Sequence, residues 1–125
     1  MEGTMINKYQ SKITEIGADV KTFLSEGMMI IFNSTAPADL KTIAVVHEIA
    51  ELQQDVVAGD YLEINGEKYE ILFVGDKVNE TLKDLGHCTI MFNGETTADL
   101  PGTMTVEKKT LPTLKIDSEL KFVHQ

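Results

Sequence analysis

Arginine and tryptophan are absent from this chain of 125 residues, and cysteine occurs once, at Cys88. A lone cysteine forms no internal disulfide, which fits a reducing compartment. Without arginine the chain lacks the forked donor most used against nucleic-acid phosphates, and 20 acidic against 11 basic residues leave a net charge of −9. That balance makes nucleic acid and anionic membrane surfaces poor partners, and favours encounter with a basic protein. Long apolar runs are missing as well. The longest, at 27–32 (GMMIIF), is far short of the roughly 20 residues that cross a bilayer. No charged segment followed by an apolar one opens the sequence, so a secretory signal is not expected and the cytoplasm is the expected location. Neither a P-loop nor a G-x-G-x-x-G string occurs, so no nucleotide cofactor is expected. Three scattered histidines and one cysteine give poor zinc spacing, and His87 and Cys88 would point to opposite faces of a strand, so no metal site is expected either.

What remains is an ordinary globular composition, 42% apolar and 25% charged, without linkers, repeats or charge blocks. One domain over 1–125 is expected. Residues 8–16 (KYQSKITEI) read as a first strand. Residues 18–24 suit a short helix closed by Gly27, and 28–32 a buried strand. A turn cluster then spans Asn33 to Asp39. Asn65-Gly66 between 61–64 and 67–74 predicts a hairpin, since a type I′ turn needs positive φ at both central residues. Residues 78–86 predict a helix capped by Asn79, with Val78, Leu82 and Leu85 on one face and Gly86 ending it. Strand character resumes at 87–92, Asn93-Gly94 forms a turn, and 103–106 and 120–123 are final strands. Residues 43–52 (IAVVHEIAEL) fit either a helical stripe or a strand; with valines paired and strands on either side, we read a strand. Many short strands and two or three short helices predict a mainly β fold, a closed or nearly closed small barrel or sandwich.

Two of the three histidines sit beside turn or helix-end signals: His47 follows Ala36-Pro37-Ala38-Asp39-Leu40, and His87 ends Leu85-Gly86-His87. An imidazole is nucleophilic and partly neutral at physiological pH, and it can carry a group and release it, which points to a phosphoryl carrier. An acceptor imidazole needs one ring nitrogen held by an acceptor and the other presenting its lone pair outward. For His47 the anchor would be Glu48, Glu51 or a backbone carbonyl. The bland alternative is a strand histidine with no role. In an arginine-free chain the phosphoryl oxygens would be met by backbone N–H groups, hydroxyls, a lysine such as Lys41, or His87. His87 can equally be a helix-end residue facing the last carbonyls. The methionines read as core filler, and Glu63, Glu67 and Glu70 as a solvated hairpin surface.

The segments ITEIG (13–17), MMIIF (28–32), APADL (36–40) with His47, ELQ (51–53), VGD (74–76), NETLKDLGHCTIMF (79–92) and LPGTMTV (100–106) together resemble the glucitol/sorbitol-specific enzyme IIA component of the bacterial phosphoenolpyruvate-dependent sugar phosphotransferase system. The resemblance implies a mainly β fold and a phosphotransferase component working through a phosphohistidine. It implies His47 as phosphoryl acceptor, with His87 assisting transfer close by and Glu51 as an orienting group. It further implies the phosphocarrier HPr as donor and the B component of a sugar permease as recipient. The family carries an H-x-H-G-E-L-like string where this chain has His47-Glu48-Ile49-Ala50-Glu51-Leu52, so Ile49 and Ala50 replace a histidine and a glycine. That departure keeps open a regulatory or binding module on the same barrel, and more weakly a small-ligand barrel.

Overall fold

Asn65 and Gly66 both take positive φ, +49° and +86°, and the hairpin they close pairs Ile64 with Glu67 and Tyr61 with Glu70, as the turn chemistry requires. This hairpin is one corner of a computed structural model that describes residues 5–125. Strands β1 (Ile6–Ile16), β2 (Met28–Asn33), β3 (Ala44–His47), β4 (Tyr61–Ile64), β5 (Glu67–Val74), β6 (Cys88–Met91), β7 (Thr103–Val106) and β8 (Glu119–His124) form the wall. They close into a barrel in the order β1-β3-β2-β6-β7-β5-β4-β8. Closure leaves no open sheet edge. Three helices complete the described residues: α1 (Val20–Ser25), α2 (Ala38–Lys41) and α3 (Val78–Leu85). The expected mainly β barrel with two or three short helices is what the chain forms. No described helix is long and apolar enough to cross a membrane.

Two neighbouring pairs are parallel, β2 with β3 and β6 with β7; the rest are antiparallel. A parallel pair needs a crossover, and for β2 and β3 it is the 34–43 segment carrying α2. The turn cluster therefore includes a short helix that contains Asp39. This crossover decides the fate of β3. Val45 joins the barrel interior with Tyr9, Ile13, Ile31 and Ile90. The other face, Ala44 and Val46, packs with Phe32 and Ala36 in a second cluster outside the wall. Both faces of β3 are thus covered, and all four residues are buried.

Three local expectations are corrected. The strand read over 43–52 is only Ala44–His47, and Glu48 onward is loop. Asn79 does not cap α3: Lys77 holds that position without a side-chain bond. The Asn79 amide instead brackets the buried Val56, accepting from its N–H (2.7 Å) and donating to its carbonyl (2.9 Å). Leu85, at the end of α3, is 40% exposed while Val78 and Leu82 are fully buried. Gly86 does end the helix, in the left-handed region at φ +58°. Of the methionines, Met29 and Met104 are core. Glu63, Glu67 and Glu70 are half-buried rather than solvated, since Glu67 and Glu70 meet the segments that cross the hairpin at Thr113 and Glu107.

Candidate functional site

His47 ends β3, Asn33 ends the parallel β2, and the two are register partners. The antiparallel β6 begins beside them at Cys88, opposite Ile31. One end of the barrel therefore collects the C-terminal ends of β2 and β3, the start of β6, and the Gly86 turn that leads into it from α3. Gly86 is packed hard into this corner. A Cβ there would stand 2.7 Å from His47 Cε1, 2.9 Å from Asn33 Cβ and 2.9 Å from the Tyr9 hydroxyl.

His47 shares the inward face with Val45 and has no exposed surface. Its Nε2 lies 2.8 Å from the Gly86 carbonyl, and its Nδ1 lies 2.9 Å from the Glu48 carbonyl and 3.1 Å from Ser11 Oγ. The Tyr9 ring meets it edge-on at 5.9 Å. Burial holds the His47 pKa below the ordinary histidine value, against the opposing pull of the Gly86 and Glu48 carbonyls. The neutral ring that results has one N–H to donate to these two carbonyls, and the Ser11 hydroxyl donates its own proton to the Glu48 carbonyl (2.8 Å). Both ring nitrogens face backbone carbonyl oxygens within 2.9 Å, and neither is exposed at the surface. The anchors are backbone carbonyls and a serine. Glu51 is exposed, and its carboxylate is met by the Gln53 amide at 3.4 Å; it does not orient His47.

His87 lies on the other side of the wall. Cys88 points into the core, so by strand alternation the preceding residue points outward. The His87 ring stacks at 4.7 Å on Phe32, a member of the outer cluster, and is half-exposed. Its Nδ1 lies 3.0 Å from the Ile31 carbonyl, which accepts Nδ1–H and leaves the lone pair on Nε2. No described residue bonds that Nε2. His47 and His87 are thus linked through Gly86, which bonds the first and precedes the second, yet they face opposite sides of the barrel wall.

Lys41 Nζ pairs with Glu15 at 3.2 Å on the surface. Lys83 lines a groove with Ile49, Ala50, Glu51 and Leu52. Sequence reasoning missed Ser11, Asn33 and Tyr9. None carries a local signal, because all three reach the corner through long-range strand pairing. Buried Cys88, its thiol pushed up to about 12 by desolvation, is an unreactive core residue. No three metal-ligating side chains come together among the described residues.

Residues 8–121 match the family model described as the PTS system glucitol/sorbitol-specific IIA component. Two relatives named PTS system glucitol/sorbitol-specific EIIA component, from Shigella flexneri and from Escherichia coli (strain K12), are each 35% identical over 114 residues, 91% of this chain and 93% of theirs. The crystal structure of a PTS system IIA component from Enterococcus faecalis V583 superposes with a TM-score of 0.77 at 28% identity, over 89% of this chain and 96% of that one.

Proposed function

The chain belongs to the family of glucitol/sorbitol-specific IIA components of the phosphotransferase system, and from that premise we propose that it takes a phosphoryl group from HPr onto a histidine and passes it to the B component of a glucitol/sorbitol-type permease. The family's role is that of a phosphoryl carrier in sugar uptake. The observation that carries the finer reading is that the family match spans both imidazoles of the barrel-end corner, His47 and His87, and stops before the third, His124. Transfer between two imidazoles is close to thermoneutral, because the bond broken and the bond made are both P–N. The chain therefore needs no cofactor, only a neutral ring presented without competing solvent. Its place of work would be the cytoplasm, where a soluble phosphohistidine relay has its partners.

The −9 charge gives the encounter its long-range component with a basic donor, screened over about 8 Å at physiological ionic strength. The exposed Ile49, at 66%, stands where the family string carries a second histidine, and it favours the binding-module reading should transfer fail. The test is incubation with phosphoenolpyruvate, enzyme I and HPr, followed by intact-mass measurement under basic conditions. We expect one phosphate, lost in acid and kept in base, with loading that slows as salt rises. A chain that gains none from competent HPr is a binding module and not a carrier.

A further inference from the structure

We infer that the Tyr9 hydroxyl is a catalytic donor of this site, hydrogen-bonding the oxygens of the phosphoryl group as it reaches and stays on His47, the acceptor that the sequence resemblance implies. The inference deepens the carrier reading and rests on it.

Tyr9 is 1% exposed, and its hydroxyl bonds no described residue. A buried hydroxyl without a partner weakens a fold, because its hydrogen bonds to water are lost and not replaced. Phenylalanine would fill the same space in the core without that penalty. Among the described residues one other buried side-chain atom is in this state, Glu63 Oε2 on β4. The Tyr9 hydroxyl, however, points into the barrel-end corner. It stands 2.9 Å, and His47 Cε1 2.7 Å, from the single point beside Gly86 where a Cβ would lie. Hydroxyl and ring edge are therefore separated by no more than those two lengths together. Cε1 is bonded to both ring nitrogens, so the hydroxyl flanks whichever nitrogen carries the group.

Positioned donors and charge are what stabilise phosphoryl transfer, and this chain has no arginine to supply them. Ser11 spends its hydroxyl on the Glu48 carbonyl at 2.8 Å, and Lys41 is paired with Glu15. Tyr9 is uncommitted, and burial raises its pKa to about 12, so the phenol keeps its proton and donates at any working pH. It also lines a groove between β1 and the 49–53 segment, with Asn7, Gln10 and Ile49, which gives the corner a way in.

The transfer balances without a further reactant. The neutral His47 ring has one N–H for two carbonyls, so one carbonyl faces a lone pair with no bond to hold it there. Once that carbonyl is displaced, the lone pair attacks the phosphorus of the donor's phosphoimidazole. The bond from His47 nitrogen to phosphorus forms as the donor's N–P bond breaks, and the leaving ring keeps that electron pair. Each ring retains its own N–H proton, so His47 becomes a phosphoimidazolium as the donor becomes a neutral imidazole. Tyr9 gives up no proton. Its O–H stays intact and donates to a phosphoryl oxygen, whose negative charge it stabilises in transit and in the product.

Tyr9→Phe removes the hydroxyl alone. Tyr69→Phe is its counterpart, because the hydroxyl of Tyr69, equally buried, donates to the Thr110 carbonyl. With phosphoenolpyruvate, enzyme I and HPr, Tyr9→Phe should load about 10- to 100-fold more slowly than the wild type, the loss of one hydrogen bond to a charged oxygen. Its Tm should be unchanged or raised. Tyr69→Phe should show the reverse, a lowered Tm with loading at the wild-type rate. Tyr9→Phe that loads as fast as the wild type overturns the inference and leaves the carrier reading intact. So does Tyr9→Phe that loses as much Tm as Tyr69→Phe, since its hydroxyl would then serve the fold. A wild type that gains no phosphate overturns the carrier reading and this inference with it.

Discussion

Replacing Gly86 by alanine tests how tightly the barrel-end corner is built, because two separate costs meet there. The residue sits at φ +58°, ψ +30°, a conformation that costs an L-residue roughly 1–2 kcal/mol. The added methyl would also lie under 3 Å from His47 Cε1, Asn33 Cβ and the Tyr9 hydroxyl. All three neighbours are buried in closed structure and yield only by moving the wall, an overpacking cost of about 1–3 kcal/mol. Gly66→Ala is the control. Gly66 has φ +86° with open space where its Cβ would go, so it carries the conformational cost alone. For a chain of 125 residues, 1 kcal/mol corresponds to about 4 °C in Tm. Gly86→Ala should therefore lower Tm by about 8–20 °C and Gly66→Ala by about 4–8 °C. Calorimetry on both, with urea unfolding to check that the slope is unchanged, reads the difference. Equal losses would refute the packed corner. The Gly86 variant should also load phosphate more slowly than the control at a temperature where both are folded.

Asp60→Asn should cost about 3–5 kcal/mol, since it leaves the buried Lys8 ammonium without its carboxylate; urea unfolding measures it, and a loss under about 1 kcal/mol would mean that the pair is worth no more than a surface one. His47 has a lowered folded pKa, from burial, so the unfolded chain binds its proton first on acidification. Stability should be full above the unfolded value near 6.5 and fall below it by up to about 1.4 kcal/mol per pH unit until the folded pKa is passed, and His47→Gln should flatten that limb. On the alkaline side, burial raises Tyr9 and Tyr69 to about 12. The unfolded phenols ionise from about 10, so stability should drop between those values, with phenolate absorbance rising together with unfolding. Gly66→Val should destabilise more than Gly66→Ala, because a β-branched residue resists positive φ; an unchanged Tm would count against the hairpin turn.

Local chemistry written in the sequence settled a good deal. Asn65-Gly66 made a hairpin because only such residues accept two successive positive φ angles at low cost. Gly86 ended α3 for the same reason. Alternation and β-branching marked the strands, and the absence of arginine, disulfides and phosphate-binding loops removed whole classes of function. The family, too, was legible in the order of short segments along the chain. What those segments could not carry was which way a side chain faces once the strands are assembled. The run Ala44–His47 alternates no polarity, so its inward and outward positions were undefined until β1 and β2 flanked it and the α2 crossover covered its outer face. Asn79 had the residue type of a cap, and only the return of the 48–60 loop gave its amide the Val56 backbone to bind. His47 and His87 look alike in sequence, two imidazoles beside turn signals. Tertiary structure separated them, because strand pleating turns neighbouring residues to opposite sides of a closed wall: one imidazole went into the core with both nitrogens facing backbone carbonyls, and the other went outside with one nitrogen free.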